Sequence, residues 1–236
     1  MGAAGFLTRI DGHDDRNCNL PDQATSSLPV IGGRSKSRVK APFWQIFPGK
    51  QSLYVGSTSA WANGGPVEVD RKWKTEVCAE AHDIHLLKDK ITVASVAAHV
   101  SSEFQLDPPL AQFSLEGCWI AGLKLDGAPV NVKVKALGPE GMRAMVHGQS
   151  EADRRRVVEL GIIDSVEFPE GMPPGVSYDP AIRNRILWED VGAIYLGELL
   201  VSGFSRRLTM LRIEFGCPNK GGFCAPDVQD EGHTVP

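Results

Sequence analysis

The chain has 236 residues, of which 42% are hydrophobic and 23% charged, and its formal net charge at pH 7 is -4. This composition is typical of a globular protein with a sizeable core, and at this length a single large β domain is the default expectation. The acidic balance gives no electrostatic reason to expect nucleic acid as a partner. No apolar run approaches the roughly 18 residues of a membrane span, so none is predicted.

The first 40 residues are rich in Asp, Ser, Gly and basic residues and have no sustained hydrophobic period. They predict a flexible N-terminal arm, or a strap over a single β domain of residues 41–218. The opening "MGAAGFLTRIDGHDD" lacks the basic leader and long apolar stretch of a signal peptide. Five widely spread cysteines favour reduced thiols. We therefore expect a cytoplasmic protein, an expectation that a previously removed signal peptide would reverse.

From Phe43 onward, short β-type runs such as "FWQIF" and "SLYVG" appear. The run "VEVDRKW", residues 67–73, alternates apolar and charged residues, which predicts a strand with one side toward water. It leads into "TEVCAEAHDIHLL", residues 75–87, where histidines, a cysteine and carboxylates raise the question of a metal or catalytic site.

A strand interpretation weakens that site. On a strand, the spacing of three between His82 and His85 places them on opposite faces. Cys78 and His82 share a face but lie about 13 Å apart, too far to bind one ion without a bulge. A ligand cluster would need a residue of another strand, such as His99 or Cys118. We therefore favour a strand with one wet face and predict no metal and no cofactor.

Two further local patterns are clear. "ITVASVAAHV" predicts a strand buried on both faces, and "CWIAGLKLDGAPVNVKVK" predicts a hairpin that turns at Asp126-Gly127, a pair suited to the positive φ angles of a type I′ turn. In "SEADRRRVVELG", a cap at Ser150 and a stop at Gly161 predict one short helix near residues 151–160.

The segment "AIYLGELLVSGFSRRLTMLRIEFG" predicts two strands that turn near residues 202–205. In that register Glu198 lies across from Thr209 with Arg207 on the diagonal, and Tyr195 lies opposite Arg212. These polar groups could line a pocket inside a barrel, or form cross-strand ion pairs on a sheet surface. As a catalytic site, Glu198 would be the acid or base, and Arg207, Arg212 and Tyr195 would stabilise charge.

The C-terminal segment "GCPNKGGFC" has two cysteines that could form a local disulfide or half of a zinc site, although unpaired thiols are favoured because a second pair at zinc spacing is missing. Residues 219–236 predict a loose polar tail.

Five tryptophans could stack on sugars or contact an apolar ligand. Trp73 and Trp119 lie in strands, which favours core positions, whereas Trp61 lies in the loop-like stretch "STSAWANGG". The candidate ligand-binding residues are Trp61, Trp119, His82 and His99.

Together these patterns predict a mainly antiparallel β protein, either a barrel or a two-sheet sandwich of about eight to ten strands with one helix. The first functional hypothesis is a non-catalytic β domain that binds a small-molecule ligand or self-associates. The alternative is a β-barrel enzyme that acts on a small, largely apolar substrate by positioning and acid–base catalysis. Strands 191–201 and 207–215 carry few residues that block sheet edges, which favours a homo-oligomer unless the sheet closes.

Overall fold

The computed structural model describes residues 2–11, 17–20, 24–28, 32–40, 43–46, 52–67, 72–106, 109–147, 158–182, 184–189, 191–202, 205–216 and 221–231. The protein is mostly β, with 74% strand, two antiparallel sheets and one short helix. The sheets are not closed into a barrel and form a two-sheet sandwich. The prediction of a mainly antiparallel β fold is confirmed, and of its two architectures the sandwich is the one observed.

The described elements are numbered in chain order. They are Gly2–Asp11 (β1), Asn17–Leu20 (β2), Ser26–Ser27 (β3), Gly33–Val39 (β4), Phe43–Ile46 (β5), Ser52–Val67 (β6), Lys72–Leu86 (β7), Ile91–Leu106 (β8), Pro109–Ser114 (β9), Trp119–Ala121 (β10), Leu123–Leu125 (β11), Ala128–Val134 (β12), Pro139–His147 (α1), Val158–Gly161 (β13), Ile163–Glu167 (β14), Val176–Asp179 (β15), Arg185–Trp188 (β16), Gly192–Ser202 (β17), Ser205–Phe215 (β18) and Gly221–Glu231 (β19). Nineteen strands are therefore described, more than the eight to ten expected.

Sheet I has nine strands in the order β15-β16-β17-β18-β19-β1-β2, with β13 also paired to β17 and β3 to β1. Sheet II has ten strands in the order β14-β12-β11-β8-β7-β6-β4, with β9 and β10 also paired to β8 and β5 to β6. The long strand β8 therefore pairs with β7 along one side and with three short strands along the other. The extra strands are mostly short ones of this kind, which lack the length needed for a visible period.

The helix does not lie where the sequence predicted it. The described helix is α1, which has Pro139 at its start and Glu140 in its first turn, both favourable at a helix N-terminus. Of the predicted helix at 151–160, residues 151–157 lie outside the described part. Its last three residues belong to β13, where Leu160 pairs with Leu199 of β17 and packs against the core. Pairing with β17 overrides the local capping signals there.

Both ends of the chain enter sheet I. In the described part of the N-terminal arm, β1 pairs with β19 over Gly2–Arg9, and β4 is the edge strand of sheet II. Strand β19, within the segment predicted to be a loose tail, lies between β18 and β1 and buries Phe223, Ala225 and Val228. Strands of the arm and of the tail therefore pair with each other in sheet I. The hydrogen-bonded sheets extend beyond residues 41–218, the segment predicted to be the β domain.

The core lies between the two sheets, where β18 and β19 pack against β7 and β8. In both sheets the apolar face continues past a point at which the in–out alternation of side chains along each strand shifts by one residue. In sheet I, Leu196 and Leu199 of β17 are both buried although they are three residues apart, and a regular strand would put them on opposite faces. Their cross-strand partners do the same: Leu211 and Leu208 in β18, Ala225 and Val228 in β19.

We call the row of Gly197, Met210 and Pro226, at which the three strands change face, the kink row of sheet I. Sheet II has an equivalent kink row at Gly56, Asp83, Ala94 and Gly122. On either side of it the buried residues are again three apart: Val55 and Thr58, Ala81 and Ile84, Val93 and Val96. Asp83, Gly122 and Gly197 have positive φ angles of 57°, 64° and 61°, which explains the reversed alternation.

The kink row of sheet II needs glycine for a steric reason. A Cβ atom at Gly122 would lie 2.6 Å from the Cβ of Ala94, and one at Gly56 would lie 2.9 Å from the Cβ of Asp83. At these two positions the neighbouring strands therefore approach too closely for two side chains. A glycine stands at each end of the row, next to Asp83 at one end and next to Ala94 at the other.

Candidate functional site

The candidate ligand-binding residues lie together on the outer face of sheet II. Trp61 of β6 is in register with Cys78 of β7, and Cys78 with His99 of β8. In the next row Glu80 is in register with Ala97, which pairs with Trp119 of β10. We call the surface formed by Trp61, Glu80, His82, His99 and Trp119 the aromatic face.

Two rings of the aromatic face are in contact. The centroids of Trp61 and His99 are 5.7 Å apart, with the ring planes tilted by 45°. The segment around Trp61 is not a loop, because β4 and β7 pair with β6 on both sides and hold its glycine-rich sequence in a strand. His99 Nδ1 lies 2.5 Å from the carbonyl oxygen of Glu116, so Nδ1 donates this hydrogen bond.

Trp119 is exposed, contrary to the core position that the sequence favoured. Its side chain is 38% accessible, and the indole Nε1 donates a hydrogen bond of 3.1 Å to the hydroxyl of Ser95. The hydrogen bond fixes the orientation of the ring and leaves it open to a ligand. An exposed tryptophan held in place loses little conformational entropy when a ligand stacks on it.

Glu80 lies between the aromatic residues and provides a carboxylate. The Cys78 thiol donates to Glu80 Oε1 over 3.9 Å, and His82 Nε2 lies 3.6 Å from Oε2. The side chains of Glu80 and His82 are 29% and 45% accessible, so both reach solvent. The aromatic face therefore combines stacking surfaces with an acceptor of hydrogen bonds from hydroxyl groups.

The cysteines near this face are poor nucleophiles. Burial raises the pKa of the Cys78 thiol to about 12 and that of Cys118 to about 11. Both remain protonated at neutral pH, whereas nucleophiles and metal ligands are thiolates. Although Cys118 contacts the backbone of His99, no group of three or more His, Cys, Asp or Glu in the described part of the chain could hold a metal ion.

The predicted separation of His82 and His85 onto opposite faces is wrong. Ala81 and Ile84 are both buried, so the kink at Asp83 puts both histidines on the outer face. They still do not converge. His85 Nδ1 lies 2.7 Å from Asp89 and its Nε2 lies 2.8 Å from Asp83, at the end of the β7–β8 hairpin.

The second predicted site lies on the outer face of sheet I, in the predicted register: Glu198 opposite Thr209 and Tyr195 opposite Arg212. Arg212 Nε and Nη2 donate to the two carboxylate oxygens of Glu198 over 2.5 and 2.8 Å. Arg212 also binds Glu214, and its guanidinium lies 3.9 Å from the centroid of the Tyr195 ring. The hydrogen bond to Glu198 is the main cause of a raised pKa of Arg212, so Arg212 stays charged.

Arg207 does not join the Glu198 pair. It donates to Asp227 of β19, with the closest approach of 2.6 Å from Nη2, and Thr209 donates to the same carboxylate over 3.0 Å. Sequence reasoning missed both Asp227 and Glu214. Glu214 could have been found because it lies two residues after Arg212 on the same strand face. Asp227 could not, since its segment has no strand period.

This arrangement favours ion pairs over acid–base chemistry. A carboxyl group that acts as general acid or base needs an oxygen that can reach the substrate. Both oxygens of Glu198 accept hydrogen bonds from Arg212, and Glu198 is only 7% accessible. The catalytic roles of Glu198, Tyr195, Arg207 and Arg212 stay a prediction. In the C-terminal cysteine pair, Cys224 is a free thiol, and Cys217 lies outside the described residues.

None of the helices in the described residues is long and apolar enough to cross a membrane. The model of a family described as "Domain of unknown function (DUF8256)" matches residues 2–144. Comparisons with curated proteins and with solved structures give no match.

Proposed function

The chain belongs to the DUF8256 family, whose description assigns no activity, and from the geometry of its outer surface we propose that it is a non-catalytic ligand-binding β sandwich. The ligand binds on the aromatic face of sheet II. It has rings that stack on tryptophan and hydroxyl groups that donate to Glu80, which together describe a saccharide.

The observation that carries this proposal is the exposed Trp119 ring, fixed by Ser95, in the row next to the Trp61–His99 pair. Rows on the same face of a strand are about 6.6 Å apart and strands about 4.8 Å apart, so these rings lie within the length of a short oligosaccharide. The apolar CH faces of sugar rings stack on indole rings. Carboxylate, hydroxyl and imidazole groups between the rings are suited to sugar hydroxyls.

The non-catalytic part of the proposal rests on the state of the reactive groups. The Cys78 and Cys118 thiols are protonated, and Glu198 is held by Arg212. The alternative, an enzyme using Glu198, has its own test. It requires a Glu198→Gln protein that folds normally and loses a turnover that the native protein shows.

The binding proposal is tested by titrating the protein with dextran, dextran sulfate, polygalacturonate and methyl-esterified polygalacturonate. Tryptophan fluorescence and calorimetry report binding. Trp119→Ala should weaken binding of any saccharide that binds by at least about tenfold, as expected for an exposed aromatic at the centre of a contact. The matched control is Leu187→Ala on sheet I, compared at a protein concentration at which light scattering shows a monomer, because Leu187 is 37% accessible and lies away from the aromatic face. No saturable binding, or equal losses in both variants, would contradict the proposal.

Self-association is a second proposal, supported by three exposed apolar side chains near the β15 edge of sheet I. Met172, Ile182 and Leu187 are 55%, 40% and 37% accessible. Apolar groups next to an open sheet edge favour pairing of two copies. Light scattering should detect a dimer that dissociates in a Leu187→Lys variant. A native protein that stays monomeric at high concentration would exclude it.

A further inference from the structure

A row of three cations borders the aromatic face. Edge strand β4 reads "GRSKSRV", and apart from Gly33 its exposed residues are Arg34, Lys36 and Arg38. Val39, on the other side of the strand, packs against the core. Residues two apart on a strand share a face and are about 6.6 Å apart, so the cations form a straight line along the sheet edge. We call Arg34, Lys36 and Arg38 the basic row.

The basic row is in register with the aromatic face. Lys36 pairs with Trp61, and Arg38 pairs with Ser59, whose other neighbour is Glu80. Cross-strand partners have Cβ atoms about 5 Å apart. Arg34 donates from Nε to the Asn63 side chain over 3.3 Å. A ligand stacked on Trp61 would therefore lie within reach of the Lys36 ammonium.

Within the described part of the chain, no carboxylate forms an ion pair with the basic row. Among the ion pairs of the described residues, none involves Arg34, Lys36 or Arg38. Glu76, which lies in the same row as Arg34 two strands away, binds Lys74 at 2.8 Å. Cations on an edge strand also discourage sheet-to-sheet aggregation. Edge protection alone, however, needs no aromatic partner beside the charges, and Lys36 is in register with one.

Resting on the proposed function, we infer that the ligand of the aromatic face is an acidic saccharide, whose carboxylate or sulfate groups bind the basic row. A sugar ring stacks on Trp61, its hydroxyls donate to Glu80, and its anionic group binds Lys36 or a neighbouring arginine. Guanidinium groups bind carboxylate and sulfate with paired hydrogen bonds. The anionic group of a sugar unit thus binds the cations of β4 while the face of its ring stacks on Trp61.

The same face does not suit a nucleic acid. The net charge is -4, and only strand β6 separates the basic row from Glu76 and Glu80 on β7. Closely spaced phosphates would be repelled by these carboxylates, whereas the hydroxyls of a sugar donate to them. A saccharide with one anionic group per unit can turn its charge toward β4 and its hydroxyls toward β7.

The test uses the full chain and two pairs of probes with the same sugar backbone. Polygalacturonate is compared with its methyl ester, and dextran sulfate with dextran, so that carboxylate, sulfate and neutral sugars are separated. We expect at least one acidic probe to bind more tightly than its neutral partner, with an affinity that falls as salt rises.

The key variant is the double substitution K36Q/R38Q. It should weaken the acidic probe about 3- to 30-fold, because two exposed ion pairs are lost, and leave any neutral probe unchanged. The matched control is K124Q/R143Q, which removes two exposed cations elsewhere and changes the net charge equally. Equal losses in the two double variants would overturn the inference.

The outcomes separate this inference from the proposed function. If the neutral probes bind as tightly as the acidic ones and Trp119→Ala weakens both, the binding face stands and the acidic ligand is refuted. If no saccharide binds, both proposals fail. A single-stranded oligonucleotide serves as the competing polyanion, and tighter binding of it through Lys36 and Arg38 would also overturn the acidic saccharide.

Discussion

The kink row of sheet II makes a quantitative prediction about Gly122. Gly122 has φ +64°, and a Cβ there would lie 2.6 Å from the Cβ of Ala94. Gly127 is a natural control, because its φ is +82° but nothing lies within 4 Å of its Cβ position. Both Gly→Ala substitutions introduce left-handed strain, and only one adds a steric clash.

The magnitudes follow from these two terms. Left-handed strain costs about 1–2 kcal/mol, partly offset by the reduced freedom of the unfolded chain, so Gly127→Ala should cost about 1 kcal/mol. Gly122→Ala adds a clash between Cβ atoms fixed to two paired strands, worth about 1–3 kcal/mol. The expected total for Gly122→Ala is about 2–4 kcal/mol.

Ala94→Gly provides the decisive test. Alone it should cost about 0.5–1 kcal/mol from backbone entropy. In the Gly122→Ala background it removes the clashing atom, so the double variant should be more stable than additivity predicts by about 1–3 kcal/mol. Urea unfolding followed by near- and far-UV circular dichroism gives each free energy at constant m-value. Additive effects, or equal costs at positions 122 and 127, would refute the close approach.

Three further predictions follow. Burial lowers the pKa of His85, but hydrogen bonds with Asp83 and Asp89 outweigh it and raise the pKa above 6.5. The contribution of protonated His85 to folding stability should therefore be full below about pH 6.5 and be lost as pH rises through the folded pKa. The urea midpoints of the native protein and His85→Gln should converge by alkaline pH. Burial lowers the pKa of Arg206 to about 10, and the charge of Asp230, which is fully buried in register with Arg206, acts against this shift. Asp230→Ala removes this favourable charge interaction, so the urea midpoint should fall, and an unchanged midpoint would contradict this. Deleting residues 2–11 exposes the β19 edge, so the deleted protein should unfold at clearly lower urea concentration, and an unchanged midpoint would show that β1 adds no stability.

Local patterns predicted those parts of the fold that depend on neighbouring residues. Asp126 and Gly127 both have positive φ, and Leu125 pairs with Ala128, as the type I′ hairpin requires. The hairpin of β17 and β18 has the predicted register, with Ser202 opposite Ser205. In both cases a short turn fixes the register, so the pairing partner is encoded within about ten residues.

The elements that sequence reasoning missed depend on distant partners. Strand β19 has Pro226 in its middle, and its buried residues change spacing from two to three at the kink row. Such a segment has no single period, and it is a strand because β18 and β1 pair with it. The prediction that His82 and His85 lie on opposite faces failed for the same reason, because the change of face at Asp83 belongs to a kink row that extends over neighbouring strands.

The extent of the family match bears on which surface carries a shared function. The family model matches residues 2–144, and the aromatic face and the basic row both lie within this segment. The Glu198–Arg212 pair lies outside this segment. The matched segment is nevertheless not a structural unit, because β1 pairs with β19 and β12 pairs with β14, both beyond residue 144. The rest of the chain thus completes both sheets, and it thereby supports the proposed ligand-binding face, to which it contributes no residue.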